Sequence, residues 1–75
     1  MPYIVAVNMT GCLPYQLVET RTKREAWQEA RRMRDEVIED RGLSPRADVH
    51  KLEHGYFLDT PTGTWVLIEK GELDE

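Results

Sequence analysis

Apolar and polar positions change rhythm along this chain, and each change marks an element. From Tyr3 to Met9 the run Tyr-Ile-Val-Ala-Val-Asn-Met is short, rich in β-branched residues and apolar on both faces near its middle. That pattern predicts a central strand. Thr10 to Pro14 break the run, with Gly11 and Pro14 as punctuation. Tyr15 to Thr20 is a second strand, and a proline before it is tolerated at an edge or at a strand's first residue.

From Thr22 to Arg41 the period lengthens. Ala26, Ala30, Met33 and Val37 fall at i, i+4, i+7 and i+11, and Trp27 and Ile38 widen the stripe. This is the spacing of one buried helical face. Thr22 with Glu25 forms a capping-box pair, Gly42 supplies a residue that accepts positive φ, and Pro45 follows. Glu25, Glu29, Glu36 and Asp40 border the stripe on one side, while Arg24 and Arg31 border it on the other beside Trp27. Glu29 with Arg32 and Arg31 with Asp35 have the spacing of helical ion pairs. Arg34 projects into the stripe itself. A buried guanidinium without a partner is costly, so Arg34 either snorkels to water or marks an interface.

After the helix the rhythm is mixed. Ser44-Pro45 can open a short second helix, with Val49 and Leu52 on one face and Gly55 as its end. The favoured alternative is one strand from His50 to Asp59 with a bulge at Gly55. Tyr56 to Thr60 and Thr64 to Lys70 then form a hairpin around Pro61-Thr62-Gly63. In the last run Trp65 and Leu67 alternate with Val66 and Ile68, so both faces are partly apolar. The expected fold is α+β: a small four-stranded, mainly antiparallel sheet with one amphipathic helix across it, in the order β-β-α-β-β. It is one domain over residues 1–75, with 71–75 an acidic frayed tail.

Charge refines this picture. The formal net charge is −4, but it is segregated. Residues 21–46 hold eight basic and six acidic side chains, whereas residues 47–75 hold two basic and seven acidic ones. The total disfavours a general polyanion binder, and the basic helix border keeps nucleic acid as the second reading, with Trp27 available to stack on a base. Cys12 is the single cysteine, so no internal disulfide can form, and no apolar run is long enough for a membrane span. The apolar N-terminus has no basic region before it, so no signal peptide is expected and the location expected is cytoplasmic.

Candidate chemistry is sparse. His50 and His54 have i, i+4 spacing and could share a metal on a helix, but no Cys-x-x-Cys pair supports them, and solvated histidines are expected instead. Cys12 has no spacing that selects a base, the helical carboxylates fit a salt-bridged surface, and Gly11 and Gly63 stand alone. The expectation is a chain without enzymatic activity, metal or cofactor.

The opening Met1-Pro2-Tyr3-Ile4-Val5-Ala6-Val7-Asn8, then Gly11-Cys12-Leu13-Pro14, then a Thr-led helix with Glu25-Ala26-Trp27 and Glu29-Ala30, resembles small accessory proteins of tailed phages that infect actinobacteria. The resemblance is confined to the N-terminal half. It implies a bacterial cytoplasm and a protein that binds a host or phage protein, and it carries no catalytic residues. The residues expected to serve such an interaction are Arg24, Trp27, Arg31 and Arg34 on the helix and Trp65 on the hairpin. Self-association as a homodimer is a third reading.

Overall fold

Seven residues of alternating burial, Tyr3 to Met9, form the strand on which the sheet is built. The computed structural model describes residues 2–9 and 16–71. Its elements are β1 (Tyr3–Met9), β2 (Gln16–Thr20), α1 (Lys23–Arg41), β3 (Val49–Leu52), β4 (Gly55–Leu58) and β5 (Thr64–Lys70). One five-stranded sheet runs in the order β2-β1-β5-β4-β3, and every pairing is antiparallel. The helix lies across one face of it, over β1, β2, β4 and β5.

The helix begins where the sequence places it. Thr22 is extended at φ −124° and ψ 157°, its Oγ1 accepts from the Glu25 amide at 3.2 Å, and Glu25 Oε1 accepts from the Thr22 amide at 3.2 Å. Two otherwise orphaned donors are thereby satisfied. The helix ends on Gly42 at φ +65°, after which the Leu43 amide donates to the Ile38 carbonyl at 3.0 Å. Leu43 then packs against the core, as the hydrophobic partner of such a stop. Ala26, Ala30, Met33 and Val37 are its buried residues, matching the stripe read from spacing.

Strand alternation assigns each residue to a face. Val5 and Val7 on β1, Tyr56 and Leu58 on β4, and Val66 and Ile68 on β5 are buried toward the helix. Met33, Leu58, Val5, Val7 and Val66 are the largest fully buried side chains, each worth about 1.5–3 kcal/mol on transfer from water. Their neighbours Ile4, Ala6, Phe57, Trp65 and Leu67 point to the opposite face, and nothing among the described residues forms a second layer there.

The α+β class holds, with a correction. The sheet has five strands, not four, because the expected strand from His50 to Asp59 is two. Leu52 pairs with Gly55, and the chain turns through Glu53-His54. Two-residue hairpin loops usually place Gly or Asn in the turn. Among the described residues only glycines have positive φ, and Gly55 follows the turn at φ +146°. The glycine that reads as a bulge in a continuous β-rich run is instead the first residue of the returning strand. The alternative second helix is a single capped turn. Ser44 Oγ accepts from the Ala47 amide at 3.3 Å, and Asp48 Oδ2 accepts from the Ser44 amide at 2.8 Å. The final hairpin turns at Gly63, at φ +73°, whose amide donates to the Thr60 carbonyl at 3.0 Å. The expected loop around Cys12, the start of the second strand at Tyr15 and the tail beyond Gly71 lie outside the described residues.

Gly55 is a position where only glycine fits. A Cβ built there would sit 1.9 Å from the Val66 carbonyl oxygen, in the neighbouring strand's backbone. Gly55→Ala should therefore prise β4 from β5 and cost about 3 kcal/mol, lowering Tm by roughly 12–24 °C in a domain of this size. Thermal unfolding followed by circular dichroism measures the shift. A Tm within a few degrees of wild type would mean that the hairpin closes differently.

Candidate functional site

The helix is narrower than the sheet beneath it. It leaves β3 uncovered on its own side, and the side chains along that edge meet across the gap. Trp27 leans on Tyr56, edge to face, with ring centroids 5.7 Å apart and planes at 88°. Lys51 of β3 brings Nζ to 5.3 Å from the centroid of the Trp27 ring. Arg34 sets its guanidinium carbon 4.9 Å from the centroid of the Tyr56 ring. The order along this edge is Lys51, Trp27, Tyr56, Arg34: two aromatic rings with a cation on each. Each cation meets the negative face of a ring, worth about 0.5–1 kcal/mol when exposed and more when desolvated.

This arrangement fixes where the Arg34 side chain lies. Its side chain is 26 % exposed, so it neither sits buried nor stands free in water. The ring of Tyr56 takes one face of the guanidinium, and Asp35 Oδ1 accepts from Nε at 3.0 Å and pairs with Nη2 at 2.9 Å. Arg34 therefore snorkels onto an aromatic ring and an adjacent carboxylate. Taking Asp35 removes the expected partner of Arg31. Among the described residues neither Arg31 nor Arg24 makes an ion pair, and both are exposed. At i−3 and i+4 from Trp27 they flank the indole along the helix surface.

The opposite border behaves as a salt-bridged face. Arg32 joins Glu29 at 2.9 Å and Glu36 at 2.7 Å. The hydrogen bond that Arg32 donates to Glu29 is the main cause that raises the pKa of its guanidinium above the ordinary value. Glu36 also lines, with Glu39, Asp40, Gln16 and Val37, a shallow depression.

Trp65 belongs to neither border. It lies on the sheet face away from the helix, 37 % exposed, and stacks obliquely on Phe57 with centroids 4.5 Å apart. His50 continues the row at 6.1 Å from Phe57. The structure thus brings together Arg24, Trp27, Arg31 and Arg34, and separates Trp65 from them by the thickness of the sheet. His50 and His54 are not on one helical face. His50 sits on the open face of β3, while His54 is in the turn and lines a depression with Trp27 and Lys23 on the helix side. Among the described residues no three His, Cys, Asp or Glu converge as a metal site, and no helix is long and apolar enough to cross a membrane.

Tyr56 and Lys51 were missed in the sequence. Both reach the edge through the pairing of Lys51 with Tyr56 across β3 and β4, a register hidden by reading the two strands as one. Compared with protein-family models, curated proteins and solved structures, the chain matches none.

The contact between Arg34 and Tyr56 can be weighed directly. A double-mutant cycle with Arg34→Met and Tyr56→Leu, read from denaturant unfolding, should show a coupling of about 1 kcal/mol. Additive effects would place the guanidinium in water.

Proposed function

We propose that this chain is a non-enzymatic protein-interaction module, a phage accessory protein acting in the bacterial cytoplasm, and that its helix edge docks an acidic segment of a host or phage protein. The observation that carries this reading is the row of Lys51, Trp27, Tyr56 and Arg34 beside the uncovered outer strand β3. Trp and Arg are the side chains most enriched where binding energy concentrates. Here they are held in place by their own intramolecular contacts, so little side-chain freedom is lost on docking. Arg24 and Arg31 supply exposed positive charge on either side of Trp27, which favours an acidic partner and speeds encounter with it. An outermost strand also offers backbone groups to an added strand. The N-terminal resemblance to phage accessory proteins supports the same role.

Nucleic acid is the competing occupant, favoured by the same arginines and by the indole. Asp35 and Glu39 interrupt the strip, and the net charge of −4 opposes a phosphate chain along it.

Affinity capture of the tagged chain from a nuclease-treated bacterial lysate distinguishes the two. A protein retained by the wild type, eluted by rising salt, should fall at least about tenfold with the combined substitutions Arg24→Glu and Arg31→Glu while the thermal melt is unchanged. Recovery that collapses on nuclease treatment would assign the edge to nucleic acid. Equal recovery by the double variant would remove the edge from binding altogether.

A further inference from the structure

The sheet has a second surface that the helix-edge reading does not use. Its residues fall in rows set by strand register. The first row is Asn8, Trp65, Phe57 and His50; the second is Leu17, Ala6, Leu67, Gly55 and Leu52; the third is Glu19, Ile4 and Glu69. The middle of this face is apolar and carries no charge. Leu17 is 49 % exposed and Trp65 37 %, the two large apolar side chains left most open among the described residues. Strands about 4.8 Å apart, with same-face rows about 6.8 Å apart, give a footprint of about 400 Å² in projection. Side-chain relief raises the accessible area toward the roughly 500 Å² per copy that a specific pairing needs.

We infer that this face is a dimerisation surface and that its occupant is a second copy of the same chain. The polar side chains around the face carry the choice of partner. Its carboxylates, Glu19 and Glu69, lie in the third row, and its imidazole, His50, lies in the first row on the far strand. Glu19 on β2 and His50 on β3 therefore occupy diagonally opposite corners. A two-fold interface sets residue i against j and j against i, so a face that holds complements at opposite corners matches itself. An axis along β5 would oppose Glu69 to its own copy. An axis passing diagonally between the two corners sets Glu19 of each copy against His50 of the other and lays Leu17 over the Phe57–Trp65 pair. The strands of the two sheets then cross steeply, near the orthogonal class of sheet packing. The assembly has four layers, helix-sheet-sheet-helix, and gives a 75-residue chain the second core that its single helix cannot supply. The helix edges stay on the outside, free for the partner proposed above.

Sedimentation equilibrium of the full chain from micromolar to millimolar concentration tests this. The expected mass is twice the 8.8 kDa of one chain. Leu17→Glu, at an exposed position, should weaken the dimer by about 30-fold or more while circular dichroism and cooperative unfolding show a folded monomer. Glu19→Lys and His50→Glu should each weaken it, and the two together should restore it. Arg24→Glu with Arg31→Glu, on the other side of the sheet, should leave it unchanged, so failure here and failure of the helix-edge reading are distinguishable. A wild-type monomer at millimolar concentration, or a dimer indifferent to Leu17→Glu, would overturn the assignment. Weakening by Leu17→Glu without rescue by the charge exchange would overturn the corner-to-corner orientation.

Discussion

Met33 sits fully buried between helix and sheet, with Ala30 and Ala26 one and two turns before it and Val37 one turn after. The two alanines allow the helix close to the sheet, and the larger pair fills the space that remains between helix and strands. This contact fixes the rest. An antiparallel sheet of this size is stable only when one face is sealed, and the chain has one helix with which to seal it. Once the stripe is turned inward, Trp27 and Arg34 fall on the helix edge, Arg24 and Arg31 fall outside them, and the acids Glu36 and Asp40 fall on the far border. The placement of every candidate side chain on the helix follows from that single rotation.

Sealing one face with one helix has two consequences for function. Five strands are wider than one helix, so β3 extends beyond it and is bridged by long side chains: Lys51 reaches back to Trp27, and Arg34 reaches over Tyr56. The edge is thus both a structural closure and an ordered array of cations on rings. The other consequence is the bare face, where Trp65, Phe57 and His50 stack on one another because they have no covering layer. These are distinct surfaces with distinct chemistry. The edge is basic and suits an acidic partner. The face is apolar in its middle with carboxylates along its rim and suits a partner of the same kind.

Much of the fold is legible from local signals. The helix limits follow from Thr22, Glu25 and Gly42, each of which acts through bonds to its own neighbours in sequence. The last hairpin follows from Gly63, which meets a turn's demand for positive φ. What escaped depends on register between distant segments. Gly55 looks like a bulge because Glu53 and His54 carry no turn signature, and the reason for the glycine lies in the Val66 carbonyl of another strand. With β3 and β4 merged, Lys51 and Tyr56 could not be seen as neighbours, so two of the four members of the edge cluster went unread. The Asp35 carboxylate shows the same limit on a smaller scale. Helical spacing offers it to Arg31, but Arg34 takes it because Tyr56 holds that guanidinium at the helix rim.

Both surfaces exist only if the sheet has one sealed face and one open face. Adjacent positions on β5 report this most directly, because they point in opposite directions: Val66 is fully buried and Trp65 is open. In a Cys12→Ser background, Trp65→Cys and Val66→Cys can be compared by native-state thiol labelling in dilute solution. A sheet sealed on one face should give rapid labelling of the first without unfolding, and labelling of the second only through global opening, slower by the equilibrium constant for unfolding. Equal rates, or the reverse order, would mean that the helix does not cover the face assigned to it.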